Sequence, residues 1–259
     1  MRCKLYARPR QRGFSLIELM VAIVIALFLL GGLFSILQST RDTSANQSAL
    51  AQLQDNQRIS VSLMTDVIEQ AGFYPTPYNS AISSVFTAPS GAFTQAGQVV
   101  SGTTNPDTSA TSLGDQLYVR YEPDATGTVL GCTGSADAAN TVHTYLFQVK
   151  TVNGTNALVC SVDGGNDVVL VNSVSKLNIY YGTYSAGATA LAPGAVDSYL
   201  TATQVNVTPL MWTNVYSVKI VLTFPNPLFG QPGQNTQYIR FTRVVSLMSR
   251  TGTNVSSFT

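Results

Sequence analysis

The stretch Phe14–Leu37 reads FSLIELMVAIVIALFLLGGLFSIL, and only Ser15, Glu18 and Ser35 interrupt its apolar character. A helix of about 20 such residues crosses the hydrocarbon core of a bilayer, so this run is long enough to span one. Five basic residues (Arg2, Lys4, Arg8, Arg10 and Arg12) precede it, with no acidic residue among them. That charge holds the N-terminal end in the cytoplasm and places the rest of the chain on the far side of the membrane. An ordinary secretory signal has a shorter apolar region closed by a small-residue cleavage site, and no A-x-A site follows here. A plain signal anchor accounts for the length and the charge, but not for Glu18. A carboxylate inside a spanning helix costs about 2.5–3.5 kcal/mol at the centre and less near the ends, where Glu18 lies. Such a residue points to function.

The string Arg12-Gly13-Phe14-Ser15-Leu16-Ile17-Glu18-Leu19-Met20 resembles the processing motif of the type IV prepilins, the pilins and pseudopilins. It has their basic leader, a Gly, an aromatic residue, a carboxylate five positions after the Gly, and then the apolar run. The resemblance implies that a prepilin peptidase cuts between Gly13 and Phe14 on the cytoplasmic side and N-methylates Phe14. It also implies a role for Glu18. In a filament of packed helices, the Glu18 carboxylate of an incoming subunit meets the Phe14 amine of a neighbour and sets the axial register. An unpaired charge there would be costly, whereas the pair attracts strongly where water is scarce.

Beyond the span, Gln38–Gln70 contains neither Pro nor Gly. Leu50, Leu53, Val61, Met64, Ile68 and Ala71 recur in steps of three and four, with Gln57 filling the stripe, which predicts one face of an amphipathic helix. Ala71-Gly72, followed by Pro75 and Pro77, predicts its end. A helix of roughly 58 residues and about 85 Å is too long for a lone globular element and suits a stalk. Gly31-Gly32 is its weakest point, at about 1 kcal/mol per Gly relative to Ala. The pair either softens the helix when it leaves the bilayer or lets another helix approach closely.

Residues 73–115 are rich in Ser, Thr, Ala, Gly and Pro and predict a long exposed loop, with one short strand near Gln98–Val100. Strand signals then recur at 117–121, 142–152, 157–162, 168–171, 177–181, 218–222 and 238–247. Asn153-Gly154 predicts a hairpin. Thr208-Pro209 predicts the start of a short helix towards Trp212. The fold class expected is α+β, one long helix followed by an antiparallel sheet with one face against it. The segments are a leader at 1–13, a transmembrane or filament-core helix at 14–37, its amphipathic continuation at 38–72, the loop at 73–115, and a β-rich globular domain at 116–259.

Only 10% of the 259 residues are charged, and beyond Gly13 nine basic residues face thirteen acidic ones. That balance argues against nucleic-acid binding. Cys3 lies in the leader; Cys132 and Cys160 remain, an even count in an oxidising compartment, which favours a disulfide over two buried thiols. The only histidine is His143. A strand histidine is more often structural, and no catalytic or phosphate-binding motif accompanies it, so neither an enzyme nor a cofactor is expected. Asp163, Asn166 and Asp167 could offer oxygen ligands to calcium. Their string is short and lacks the EF-hand pattern, so a turn is the commoner meaning.

The body is also similar to the PilW family of minor pilins. The residues that carry this are Ala71-Gly72-Phe73, Gly131-Cys132, Asn153-Gly154 with Ala157-Leu158-Val159-Cys160, Val174, Leu177, Tyr181-Gly182, Trp212, Val215, Val218-Lys219-Ile220 and Phe241-Thr242-Arg243-Val244-Val245. Asn172 and Ser173 stand where that family has an acidic residue. The resemblance implies a type IV pilin fold and a subunit that primes pilus assembly or sits in the tip complex, supporting motility or adhesion. Its implied partners are the prepilin peptidase, other minor pilins, the major pilin, a large tip adhesin, the inner-membrane assembly platform and, before assembly, membrane lipid. The location implied is the bacterial inner membrane and then the extracellular pilus. A J-type pseudopilin of type II secretion shares the motif and the size and is the alternative.

Overall fold

A computed structural model of the chain describes Gly13 and residues 15–105, 112–127, 129–184, 195–207 and 211–251. Residues 1–12 of the expected leader, Phe14 and Thr208-Pro209 lie outside the described residues. The chain divides into two units, Met1–Leu50 and Ala51–Thr259.

One helix, α1 (Leu16–Glu69), runs for 54 residues. In the first unit every side chain from Leu16 to Ala45 is exposed, including Leu16 at 76% and Phe28 at 85%. A helix that is apolar all round and covered by none of its own chain belongs in lipid or among other helices, and this one is long and apolar enough to cross a membrane. The helix continues through Gly31 and Gly32, where an added Cβ would meet nothing within 4 Å.

In the second unit, α1 buries Ser60, Met64, Val67 and Ile68. Leu53 and Val61 pack half-buried against the same core. The expected stripe therefore holds at Leu53, Val61, Met64 and Ile68, and it widens to take in Ser60 and Val67. Ser60 tolerates full burial because its hydroxyl donates to the Asn56 carbonyl at 2.7 Å. The helix ends as Ala71-Gly72 predicts. Gly72 has φ +77°, a conformation open to glycine without strain. Its N–H donates to the Arg120 carbonyl at 2.9 Å.

After α1 come α2 (Ile82–Val85), β1 (Val100–Thr103), β2 (Gln116–Tyr121), β3 (His143–Val152), β4 (Thr155–Val162), β5 (Val168–Asn172), β6 (Lys176–Thr183), β7 (Ser198–Leu200), α3 (Ala202–Val207), a 3-10 turn (Met211–Asn214), β8 (Val215–Pro225), β9 (Tyr238–Ser246) and α4 (Met248–Thr251). The fold is thus α+β, a long N-terminal helix followed by antiparallel sheet. Where one sheet was expected, the described residues form two, ordered β1-β2-β3-β4-β5 and β7-β6-β8-β9. The two meet at Gly114. Its backbone runs beside Leu177 at the start of β6, where a Cβ would lie 1.9 Å from the Leu177 carbonyl oxygen. Next to it the Asp115 N–H donates to that same carbonyl, and the Asp115 carboxylate accepts from the Ile179 N–H at 2.8 Å. One core serves both sheets and the end of α1, with Phe147, Leu158, Tyr181, Trp212 and Leu222 all buried in it.

The segment 73–115 is not the exposed loop expected from its composition. Phe86, Phe93, Val99 and Val100 are fully or almost fully buried, and β1 lies at 100–103 rather than 98–100. The organiser is Arg120, 2% exposed. Its guanidinium donates to the carbonyls of Gln98 (2.6 Å), Thr87 (2.9 Å) and Phe86 (3.2 Å). It also lies 4.2 Å from the Phe93 ring centre. Burial lowers its pKa to about 10, so it stays charged at neutral pH, solvated by carbonyl dipoles and ring faces in place of water.

Candidate functional site

The residues that the sequence singles out fall into two groups. The first is the start of α1. Gly13 and Ser15 are exposed, and the first helical bond runs from the Leu19 N–H to the Ser15 carbonyl at 3.2 Å. Ser15 is therefore the N-cap. Glu18 stands three residues on, in the first turn. Ser15-x-x-Glu18 has the spacing of a capping box, a signal that the sequence itself carries. A carboxylate there also faces the positive end of the helix dipole. Glu18 is exposed and so open to a partner outside its own subunit.

The second group surrounds the disulfide. Cys132 and Cys160 are bonded, with Cα atoms 6.4 Å apart. The bond ties the loop between β2 and β3 to the middle of β4. Two further contacts hold the same loop. Tyr145 of β3 donates to Asp137, and burial, followed by this bond, pushes the tyrosine pKa well up. His143 bonds through Nδ1 to the Asp163 carboxylate at 2.6 Å and through Nε2 to the Ala138 carbonyl at 2.9 Å. Burial pulls the imidazole pKa down, but the bonds to Asp163 and Ala138 and the nearby Asp137 charge outweigh it and leave the pKa raised. Both ring nitrogens face acceptors, so the protonated ring fits best. Neither nitrogen is left to act on a substrate.

Asp163, Asn166 and Asp167 form the turn between β4 and β5, with Asp163 and Gly164 at positive φ. Asp163 serves His143 and also accepts from the Thr144 N–H at 2.7 Å. Asp167 pairs with Lys150 at 2.5 Å. The two carboxylates thus answer to different protein groups rather than converging on one ion. Among the described residues no cluster of three His, Cys, Asp or Glu side chains is placed to hold a metal. A cleft of about 840 Å³ opens beside the end of α1, where Phe73, Tyr74, Ile82 and Met248 gather with Asp66 and Glu69.

The prokaryotic N-terminal methylation motif matches residues 8–34. It marks a type IV pilin-like prepilin. The motif implies processing by a prepilin peptidase and assembly with other pilins, and with the exposed apolar helix it fits a membrane-anchored subunit that later enters a pilus or pseudopilus. Pilin-like proteins are structural rather than enzymatic. No curated protein and no solved structure matches this prepilin.

Proposed function

We propose that the chain is a PilW-type minor pilin that primes type IV pilus assembly or sits in the tip complex of the filament. The observation that carries this is the pairing of the methylation motif with a large two-sheet head. A head of this size would crowd a filament shaft, whereas a tip leaves it room. In this reading the peptidase cuts between Gly13 and Phe14 and methylates Phe14. Glu18 then pairs with the Phe14 amine of the neighbouring subunit, and a tip adhesin or another minor pilin rests on the head.

Glu18→Ala carries the test. The substituted chain should insert and be cleaved normally, as read by intact mass of the membrane fraction. It should be lost from sheared filaments, because breaking a dehydrated charge pair costs about 3 kcal/mol or more. Normal incorporation would remove the assembly role. A knockout separates the two systems. Loss of surface filaments and twitching supports the minor pilin, whereas intact twitching with lost protein secretion assigns the chain to a type II pseudopilus.

A further inference from the structure

Acidic residues stop at Asp197. From Ser198 to Thr259 the sequence holds Lys219, Arg240, Arg243 and Arg250 and no Asp or Glu. β7, β8 and β9 lie in that span, and β6 adds Lys176, again without an acid. The four strands of the second sheet therefore carry cations and no carboxylate, in a body whose overall balance is acidic.

Register sorts these residues onto two faces. Leu177, Ile179, Tyr181, Val218, Ile220 and Leu222 are buried. The rows Tyr180–Lys219–Val244, Asn178–Val221–Thr242 and Lys176–Thr223–Arg240 lie on the opposite face. Arg243 pairs with Ile220 on the core side and joins the groove along α1. The outward face thus carries Lys219 and Arg240, with Lys176 beyond them.

Lys219 is held in place. Its ammonium lies 4.7 Å from the Tyr180 ring centre and 4.6 Å from that of Tyr199. Tyr199 comes from the short β7, opposite Gly182. A Cβ on Gly182 would stand 3.0 Å from the Tyr199 ring and 2.2 Å from the Ser217 hydroxyl, so the glycine makes room for the ring. An exposed ion pair is ordinarily weak because long side chains must be immobilised to form it. Two aromatic faces already restrain Lys219, so binding an anion orders it less.

The spacing narrows the ligand. Arg240 faces Thr223, four positions along β8 from Lys219 and one strand over, which separates their Cα atoms by about 14 Å. The Lys219 ammonium leans towards Tyr180 and Tyr199, on the side away from β9, so one carboxylate or phosphate does not bridge the two. DNA carries a charge about every 1.7 Å of its axis and favours a denser set of cations. Between the two positions stand Val221 and Thr242, with Asn178 and Tyr180 beside them on β6; the Thr242 hydroxyl, the Asn178 amide and the tyrosine rings suit a sugar chain better than a lipid surface. We propose that this face binds an acidic polysaccharide, with carboxylates of separate sugar units on Lys219 and Arg240 and with Asn178 and Thr242 bonding sugar hydroxyls.

The test uses the full chain in neutral-lipid nanodiscs, with immobilised polygalacturonate as probe and dextran, duplex DNA and phosphatidylglycerol vesicles beside it. Polygalacturonate should bind above dextran and weaken as salt rises. Lys219→Gln and Arg240→Gln should each lower affinity about threefold, and together about tenfold. Tyr199→Ala should also lower it, although it removes no charge, because it frees Lys219. Lys150→Gln, which removes a cation from the other sheet, should change nothing. Far-ultraviolet circular dichroism confirms that each variant keeps its fold. Binding no stronger than to dextran, an equal loss in Lys150→Gln, or tighter binding to DNA or vesicles would overturn the proposal.

Discussion

His143 is the sequence's one histidine, so its imidazole resonances can be assigned without ambiguity. Its folded pKa is raised above the ordinary value of 6.5. A raised pKa contributes stability that is fully present below the unfolded value and is lost as pH climbs through the folded value. The melting temperature of the full chain in detergent should therefore fall as pH rises above about 6.5. His143→Gln should flatten that slope, and the imidazole titration should centre above 6.5. A slope unchanged in His143→Gln would place the pH dependence elsewhere. At this scale the N-terminal methylation motif was the legible part, because it is a local string in a fixed order. Arg120 was not. Its alternation with Val119 and Tyr121 put it on the polar face of β2, and only the fold shows that 86–98 covers that face.

At the scale of elements, strands and the helix were read well where period was strong. Segment 73–115 was read poorly because small polar residues hide the few anchors, Phe86, Phe93 and Gln98, that bury it. Arg120→Met keeps much of the volume but strips three carbonyls of their donor. It should lower stability by about 3 kcal/mol or more, since buried acceptors lose their partners, and expose 75–103 to limited proteolysis ahead of the sheets. Wild-type resistance in that variant would mean that Phe86 and Phe93 suffice. The glycine pair in α1 makes the opposite kind of prediction. Gly31→Ala with Gly32→Ala meets no atom of its own chain and gains about 1 kcal/mol per site in helix propensity. Helix content of the membrane-bound subunit should hold or rise. Recovery in sheared filaments should fall, whether the glycines soften the helix or admit a neighbour. Unchanged recovery would leave them without either role.

Across the whole molecule, α+β was legible from one long helical pattern followed by many strand signals. The division into two sheets was not, because it depends on which strands pair, β1 with β2 and β6 with β8, across intervening chain that carries no period. Neither β7 nor α3 is long enough to show a period in the sequence. The disulfide joins positions 28 residues apart and should contribute roughly 3–4 kcal/mol in the chain-entropy account. Cys132→Ser with Cys160→Ser should lower the denaturant midpoint by the corresponding amount, and reductant should then have no further effect. A midpoint equal to wild type would mean that Tyr145 and His143 hold the loop unaided.

Ser249 donates its hydroxyl to the Ala71 carbonyl at 2.6 Å, across 178 residues of chain. The same pair of segments meets where a Cβ on Gly72 would stand 2.7 Å from the Ser249 hydroxyl. In a protein exported with its N-terminus retained in the bilayer, the end of α1 emerges early and its closing partner emerges 178 residues later. The head therefore cannot complete itself during passage, and the stalk waits uncapped until β9 and α4 have crossed. Such a long closing contact is slow to form. It makes the closed head a record that the chain has crossed at least as far as α4.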